Sequence, residues 1–274
     1  TEEKDSNVCQ YVKDYEYVNF ENVDMSLFSD KEKEKYINDF GLRSLFSEKN
    51  VYYDFKILKY SDNEGIILAK LHHIISDAWS FGNIGTQIID HLEDNDVTDN
   101  KKPSYIDYIK SEDEYKNSEK YKKDELFWQD YLKDIKESIS LKDNINRVSS
   151  KAKRYSVLLD ENFSKEINNY CKENKISPYI LFLTALSVYL YRIKDKNDFV
   201  IGTPTLNRSN FKEKNMLGMF VSTLPFRAKI TEDIKFIDLA KQFVRENMSL
   251  FRHQKYPYEK MLEYVHKNTS LKTN

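Results

Sequence analysis

Apolar positions along the 274 residues change their period several times, and each change marks an element. Residues 51–58, VYYDFKIL, and 65–75, GIILAKLHHII, are runs of β-branched and aromatic residues joined by the turn-like YSDNEG, a pattern that predicts a β-hairpin. Phe81, Ile84, Ile88, Ile89 and Leu92 then recur at helical spacing, which predicts a helix from Trp79 to Leu92. Through 105–135, Tyr, Phe, Trp and Leu punctuate a heavily charged stretch: one or two amphipathic helices with a solvated charged face. The polar stretch SLKDNINRVSSKAKR (140–154) has no strong periodicity and is the candidate boundary. A second unit opens with RYSVLLD (154–160) as a strand and continues with a helix over 161–174. Ser177 reads as an N-cap with Pro178 at the first helical position, starting a buried helix that runs to Ile193. Strands at DFVIGTP (198–204) and FVSTLPFRAKI (220–230) and a helix over 236–252 complete the pattern. Strands alternating with helices give an α/β or α+β architecture.

The chain is long enough to bury a large core, as one large domain or two ordinary ones. Hydrophobic residues make up 40% and charged residues 32%, with a formal net charge of -2. That balance lacks the basic excess of a nucleic-acid or acidic-membrane binder. Cys9 and Cys171 have neither metal-type spacing nor the number a disulfide scaffold needs, so a reducing cytoplasmic location is the simplest reading. The longest apolar stretch, Tyr179 to Ile193, is shorter than the roughly 20 residues that span a bilayer, and the first ten residues lack a signal pattern.

Two histidines, His72 and His73, end the apolar strand, and Asp77 follows four residues after the second. Neighbours on a strand point to opposite faces, so the pair is not a chelate for one metal ion. The same alternation suggests a division of labour, one ring facing a cavity and the other supporting it. Ser76 and Ser80 lack the glycine frame of a nucleophile elbow, and Cys171 has no local activating group. A working histidine here would therefore act on a nucleophile that the substrate itself carries.

HHIISDAWS (72–80) resembles the His-His-x-x-x-Asp-Gly motif of the condensation domains of nonribosomal peptide synthetases, members of the chloramphenicol acetyltransferase-like superfamily. Four further stretches resemble that family's motifs in the same order: YIDY (105–108), IGTPTLNRSN (201–210), MLGMFVSTLPFR (216–227) and RHQKYPYEKM (252–261). Taken singly, each reads equally well as a loop or a core strand; the joint order is what the family accounts for.

The resemblance implies two chloramphenicol acetyltransferase-like lobes in a V, here 1–145 carrying the histidine pair and 152–274 as an incomplete second lobe, with the active site in a tunnel between them. It implies amide formation between a carrier-bound acyl or peptidyl thioester and the α-amine of a carrier-bound aminoacyl thioester. His73 takes the catalytic position, with His72, Asp77 and Arg208 as supports and Ser76, Ala78, Trp79, Asn207 and Ser222 as tunnel candidates. No metal and no cofactor of the domain's own are implied; substrates come on phosphopantetheine arms. Upstream and downstream peptidyl carrier domains and an adjacent adenylation domain are the expected partners. A buried carboxylate after an apolar strand needs a partner, and Arg208 is the arginine expected to pair with Asp77.

Three departures stand out: Ala78 replaces the motif glycine, Ser222 replaces the motif asparagine, and the family's N-terminal motifs have no counterpart. A stand-alone acyltransferase acting on a free amine or alcohol and a degenerate docking domain, which Ala78 mildly favours, are the alternatives.

Overall fold

The structure, a computed structural model, describes residues 2–4, 7–9, 17–45, 52–93, 103–135, 139, 141 and 154–268. These residues form two compact units: Thr1–Glu93 with Leu217–Met219, and Asp94–Met216 with Phe220–Asn274. The expected lobe boundary at 145–152 falls outside the described residues.

In the first unit an antiparallel ribbon, β1 (Glu2–Lys4) and β2 (Asn7–Cys9), precedes a three-stranded sheet. Its strands β3 (Glu21–Asp24), β4 (Tyr53–Lys59) and β5 (Gly65–Leu71) lie in that order, with β3 parallel and β5 antiparallel to β4. The β4–β5 pair is the hairpin the sequence predicts. Its closure depends on Gly65, where a Cβ would stand 2.8 Å from the Leu58 carbonyl oxygen, closer than a side chain tolerates. Helix α1 (Asp30–Leu42) starts at a capping box in which Ser29 and Glu32 satisfy each other's backbone donors. Helix α2 (Ala78–Leu92) follows the hairpin.

The second unit is mostly helical: α3 (Tyr105–Lys116), α4 (Glu119–Leu132), α5 (Glu161–Asn174), α6 (Pro178–Lys194), α7 (Phe211–Lys214), α8 (Phe236–Arg252) and α9 (Tyr258–Asn268). They surround one antiparallel strand pair, β6 (Asp198–Thr205) with β7 (Ser222–Lys229). Leu224, Phe226 and Ala228, alternate residues of β7, join a core shared with Trp128, Phe199, Phe243 and Leu250. The predicted helical stretch 105–135 is two helices, because Ser118 accepts the Tyr121 N–H and starts a new one. Helix α4 joins the C-terminal core through Trp128 and Leu132. Across the sheet, Arg227 pairs with Asp198 through two hydrogen bonds of 2.7 Å and donates to the carbonyls of Tyr131 and Lys133, closing the end of α4.

Three features differ from the sequence reading. Residues 154–160 form no strand: among the described residues none pairs with them, and Tyr155 and Leu158 are 92% and 98% exposed. Their apolar pattern fits a strand, but a strand exists only in a ladder. Helix α6 begins at Ser177 and Pro178 as expected, yet it is buried on one side alone. Tyr179, Phe182, Leu186, Tyr189 and Ile193 form a stripe 41–58% exposed, opposite Ile180, Leu183 and Leu190. Helix α9 was not foreseen; Met261 and Val265, one turn apart, bury its inner face. Among the described residues no single helix is long and apolar enough to cross a membrane.

Candidate active site

Strand β5 ends at Leu71, one residue before the histidines. His72 extends the ladder through its N–H, which donates to the Tyr52 carbonyl at 2.7 Å, and its own carbonyl accepts from Ile75 N at 3.1 Å to close a turn. The Ile74 N–H donates to His72 Nδ1 at 3.1 Å, so the neutral ring carries its proton on Nε2. The Tyr52 ring meets His72 edge-on, with centroids 6.0 Å apart. His73 lies in the turn itself and is exposed. The two rings are thus separated by the turn and not by the alternation of a strand: one is tied into the backbone, the other projects.

After the turn the chain dives inward. Ser76 and Asp77 are buried, Asp77 to 2% exposure, and Asp77 is the N-cap of α2. Its Oδ1 accepts from Ser80 N at 2.8 Å and from Ser80 Oγ at 2.9 Å, satisfying a donor that every helix start leaves open. Ala78, in place of the motif glycine, is the first helical residue. It is not among the residues with positive φ, which are Asp134, Lys175, Asp195, Asn207 and Asp233. The position asks for no glycine dihedral, and the replacement adds a methyl without backbone strain. Trp79 is exposed beside it.

The remaining motif residues, apart from Leu217–Met219, belong to the second unit. Asn207 adopts a left-handed φ of 50°, and its buried Oδ1 meets no hydrogen-bond donor among the described residues. Arg208 is buried; Nη1 donates to the carbonyls of Glu213 and, at 2.8 Å, Met216. Its guanidinium lies 3.9 Å from the Phe220 ring centroid. The same Phe220 packs on Tyr108 and Tyr105, at 4.4 and 5.3 Å between centroids. Three of the five motifs, YIDY, the Asn-Arg loop and the Met-Phe-Val stretch, therefore meet in one aromatic cluster. The last motif joins through Thr205, whose hydroxyl donates to Gln254 Oε1 at 2.6 Å. Ser222 opens β7 and is half-buried.

Glu213, which lies between two motifs, and His253 and Ser80, which lie within motifs, also shape these segments. Buried Glu213 accepts from the backbone and hydroxyl of Ser209 and from Lys255. Burial opposes its ionisation, but those hydrogen bonds and the lysine outweigh it and hold the carboxyl below its ordinary range. His253, which follows the first residue of the last motif, is oriented by the buried Asp124 at 2.6 Å and stacks on Phe127 at 3.8 Å. Ser80, set aside in the sequence as a nucleophile, emerges as the partner of Asp77. Its place three residues after the cap was the available signal.

The first unit carries a hairpin ending in a His-His turn and an aspartate-capped helix, the second a motif cluster around Arg208, and the fold of both is mixed α/β. Family comparison agrees. The family model described as Condensation domain matches residues 1–274, and the chain belongs to that family, the condensation domains of nonribosomal peptide synthetases. It is 33% identical over 270 residues to surfactin synthase subunit 1 of Bacillus subtilis (strain 168), covering 95% of this chain and 8% of that protein. With gramicidin S synthase 2 of Aneurinibacillus migulanus the identity is 24% over 265 residues, covering 96% and 6%. Among solved structures, the first condensation domain of the calcium-dependent antibiotic synthetase, in complex with a substrate analogue, superposes with a TM-score of 0.78. The identity is 15%, covering 95% of this chain and 59% of that one. The condensation domain from Monacolin K polyketide synthase MokA gives 0.75 at 18% identity, covering 92% and 60%. The chain thus spans less than a tenth of these curated relatives' length and about three fifths of the solved domains.

Proposed function

We propose that the chain forms an amide between a carrier-bound acyl or peptidyl thioester and the α-amine of a second, carrier-bound aminoacyl thioester. The amine nitrogen bonds to the thioester carbonyl carbon, the C–S bond breaks, and the proton lost by nitrogen ends on the departing thiol. Both substrates arrive on phosphopantetheine arms of carrier domains, so the chain needs no cofactor of its own for this step. The observation that carries the reading is the His-His turn, with His73 exposed while His72 and the Asp77 cap are held by backbone bonds.

Simple deprotonation of the amine is not the gain. An α-amine has a pKa of about 7.7–8.0, so a substantial minority is neutral near neutral pH, and ionisation alone is worth at most about tenfold. General-base catalysis in the transition state contributes about 10²–10⁴. The useful work for His73 is to accept the proton as nitrogen turns cationic during attack, and to hold that N–H along the attack line. An imidazole side chain, able to accept and to donate a proton, suits both tasks.

The test is turnover with chemically loaded donor and acceptor carriers, compared with the same acceptor as a free amine. Amide formed only between carriers supports the reading. Equal turnover with the free amine points instead to a stand-alone acyltransferase, and no turnover with either points to a docking domain.

A further inference from the structure

Ser80 is completely buried and stands at a crossing of hydrogen bonds. Its Oγ lies 2.9 Å from Asp77 Oδ1 and 2.8 Å from the Gly218 carbonyl oxygen, and it accepts from the Gly218 N–H at 3.1 Å. Gly218 is 138 residues away, in the three-residue stretch Leu217–Met219 that packs with the first unit while its neighbours on either side pack with the second. A hydroxyl carries one proton, so the two acceptors share it while the lone pair takes the glycine amide. Both backbone groups of Gly218 are thereby held on the amino-terminal turn of α2, three residues from the cap and seven from His73.

We propose that Ser80 is a positioning residue for the amide-forming reaction: its hydroxyl fixes the Leu217–Met219 stretch to the Asp77 cap and so holds the turn that presents His73. The inference rests on the catalytic reading above. It is separable from the ordinary helix-starting role of this position, because the Asp77 cap bond runs to the Ser80 backbone N–H. Replacing the side chain leaves that bond in place and removes the hydroxyl's link to residue 218. A misplacement near 1 Å at a reacting group costs about 10²-fold in rate, so a small loosening suffices for a large kinetic effect.

Ser80→Ala and the near-isosteric Ser80→Cys decide it, with Ser80→Thr as the variant that keeps the hydroxyl. Hydrogen exchange of this chain reads the clamp without any substrate: both variants should lower protection of the Gly218 amide by about tenfold, the scale of one lost hydrogen bond, with the α2 amides unchanged. With loaded carriers, kcat should fall by about 10²-fold while KM and the pH profile of kcat stay put. Ser80→Thr should recover part of the rate. Unchanged protection at Gly218, or a Ser80→Cys protein with wild-type kcat, overturns the proposal, the latter by reducing Ser80 to a packing residue. Absence of amide formation by the unaltered chain would count against the catalytic reading alone, and the exchange measurement would still decide the clamp.

Discussion

Removing the carboxylate of Asp77 separates two contributions that its burial combines. The cap bonds to Ser80 N and Oγ are visible, and losing an N-cap side chain to alanine costs about 0.5–2 kcal/mol. We propose that Asp77 also pairs with Arg208, and breaking a buried ion pair costs about 3–5 kcal/mol. Asparagine caps a helix as well as aspartate does but carries no charge. If capping were the whole role, Asp77→Ala would cost about 0.5–2 kcal/mol and Asp77→Asn almost nothing. If the ion pair operates, both variants lose about 3–5 kcal/mol. For chains near this size each kcal/mol moves the thermal midpoint by about 2–4 °C, so the ion pair predicts a fall of about 6–20 °C for Asp77→Asn. Differential scanning calorimetry at neutral pH provides the reading. A double-mutant cycle with Arg208→Gln should return a coupling of about 1–3 kcal/mol. An Asp77→Asn protein that melts with wild type, or a cycle additive to within about 0.5 kcal/mol, refutes the pairing and leaves Asp77 as a cap.

Two further outcomes follow from particular groups. The Glu213 carboxyl is held below its ordinary value of 4.5 in the folded state. Its stabilisation is therefore present above that value and is lost as the pH falls through the lowered folded pKa. Wild type should outlast Glu213→Gln in urea at pH 7, with the gap closing as the pH falls below 4.5 and through the lowered folded pKa; a constant gap across this range would show that charge plays no part. The stripe on α6 leaves five large apolar side chains exposed, which favours association. The wild-type chain should self-associate at high micromolar concentration in sedimentation velocity, and Leu186→Lys with Tyr189→Glu should shift it to monomer. A wild-type chain that sediments as monomer throughout would exclude the stripe as a contact.

The hairpin, helix α2 and helices α5, α6 and α8 were readable because each has a clear period, and several add a local start signal, such as Asp160 and Ser177 each accepting the N–H three residues on. Residues 154–160 misled for a physical reason: alternation reports which strand a segment would make, whereas the ladder partner is a tertiary matter. The one-sidedness of α6 was hidden because a helix apolar all round looks the same from sequence whether one face or both are covered. At the site, the motif residues were legible as a set. The bonds that organise them were not, since Ser80 to Gly218 and Thr205 to Gln254 join segments far apart in sequence. Ala78 is an ordinary first helical residue without a positive φ, so the dihedral reason for a glycine does not apply there.

The central claim is that His73 acts on the substrate amine. Single-turnover rapid quench with loaded donor and acceptor carriers isolates the chemical step from carrier binding and release. His73→Ala should slow amide formation by about 10²–10⁴-fold while its thermal midpoint stays at the wild-type value, because the ring is exposed. A folded His73→Ala chain that forms the amide at the wild-type rate would contradict the account.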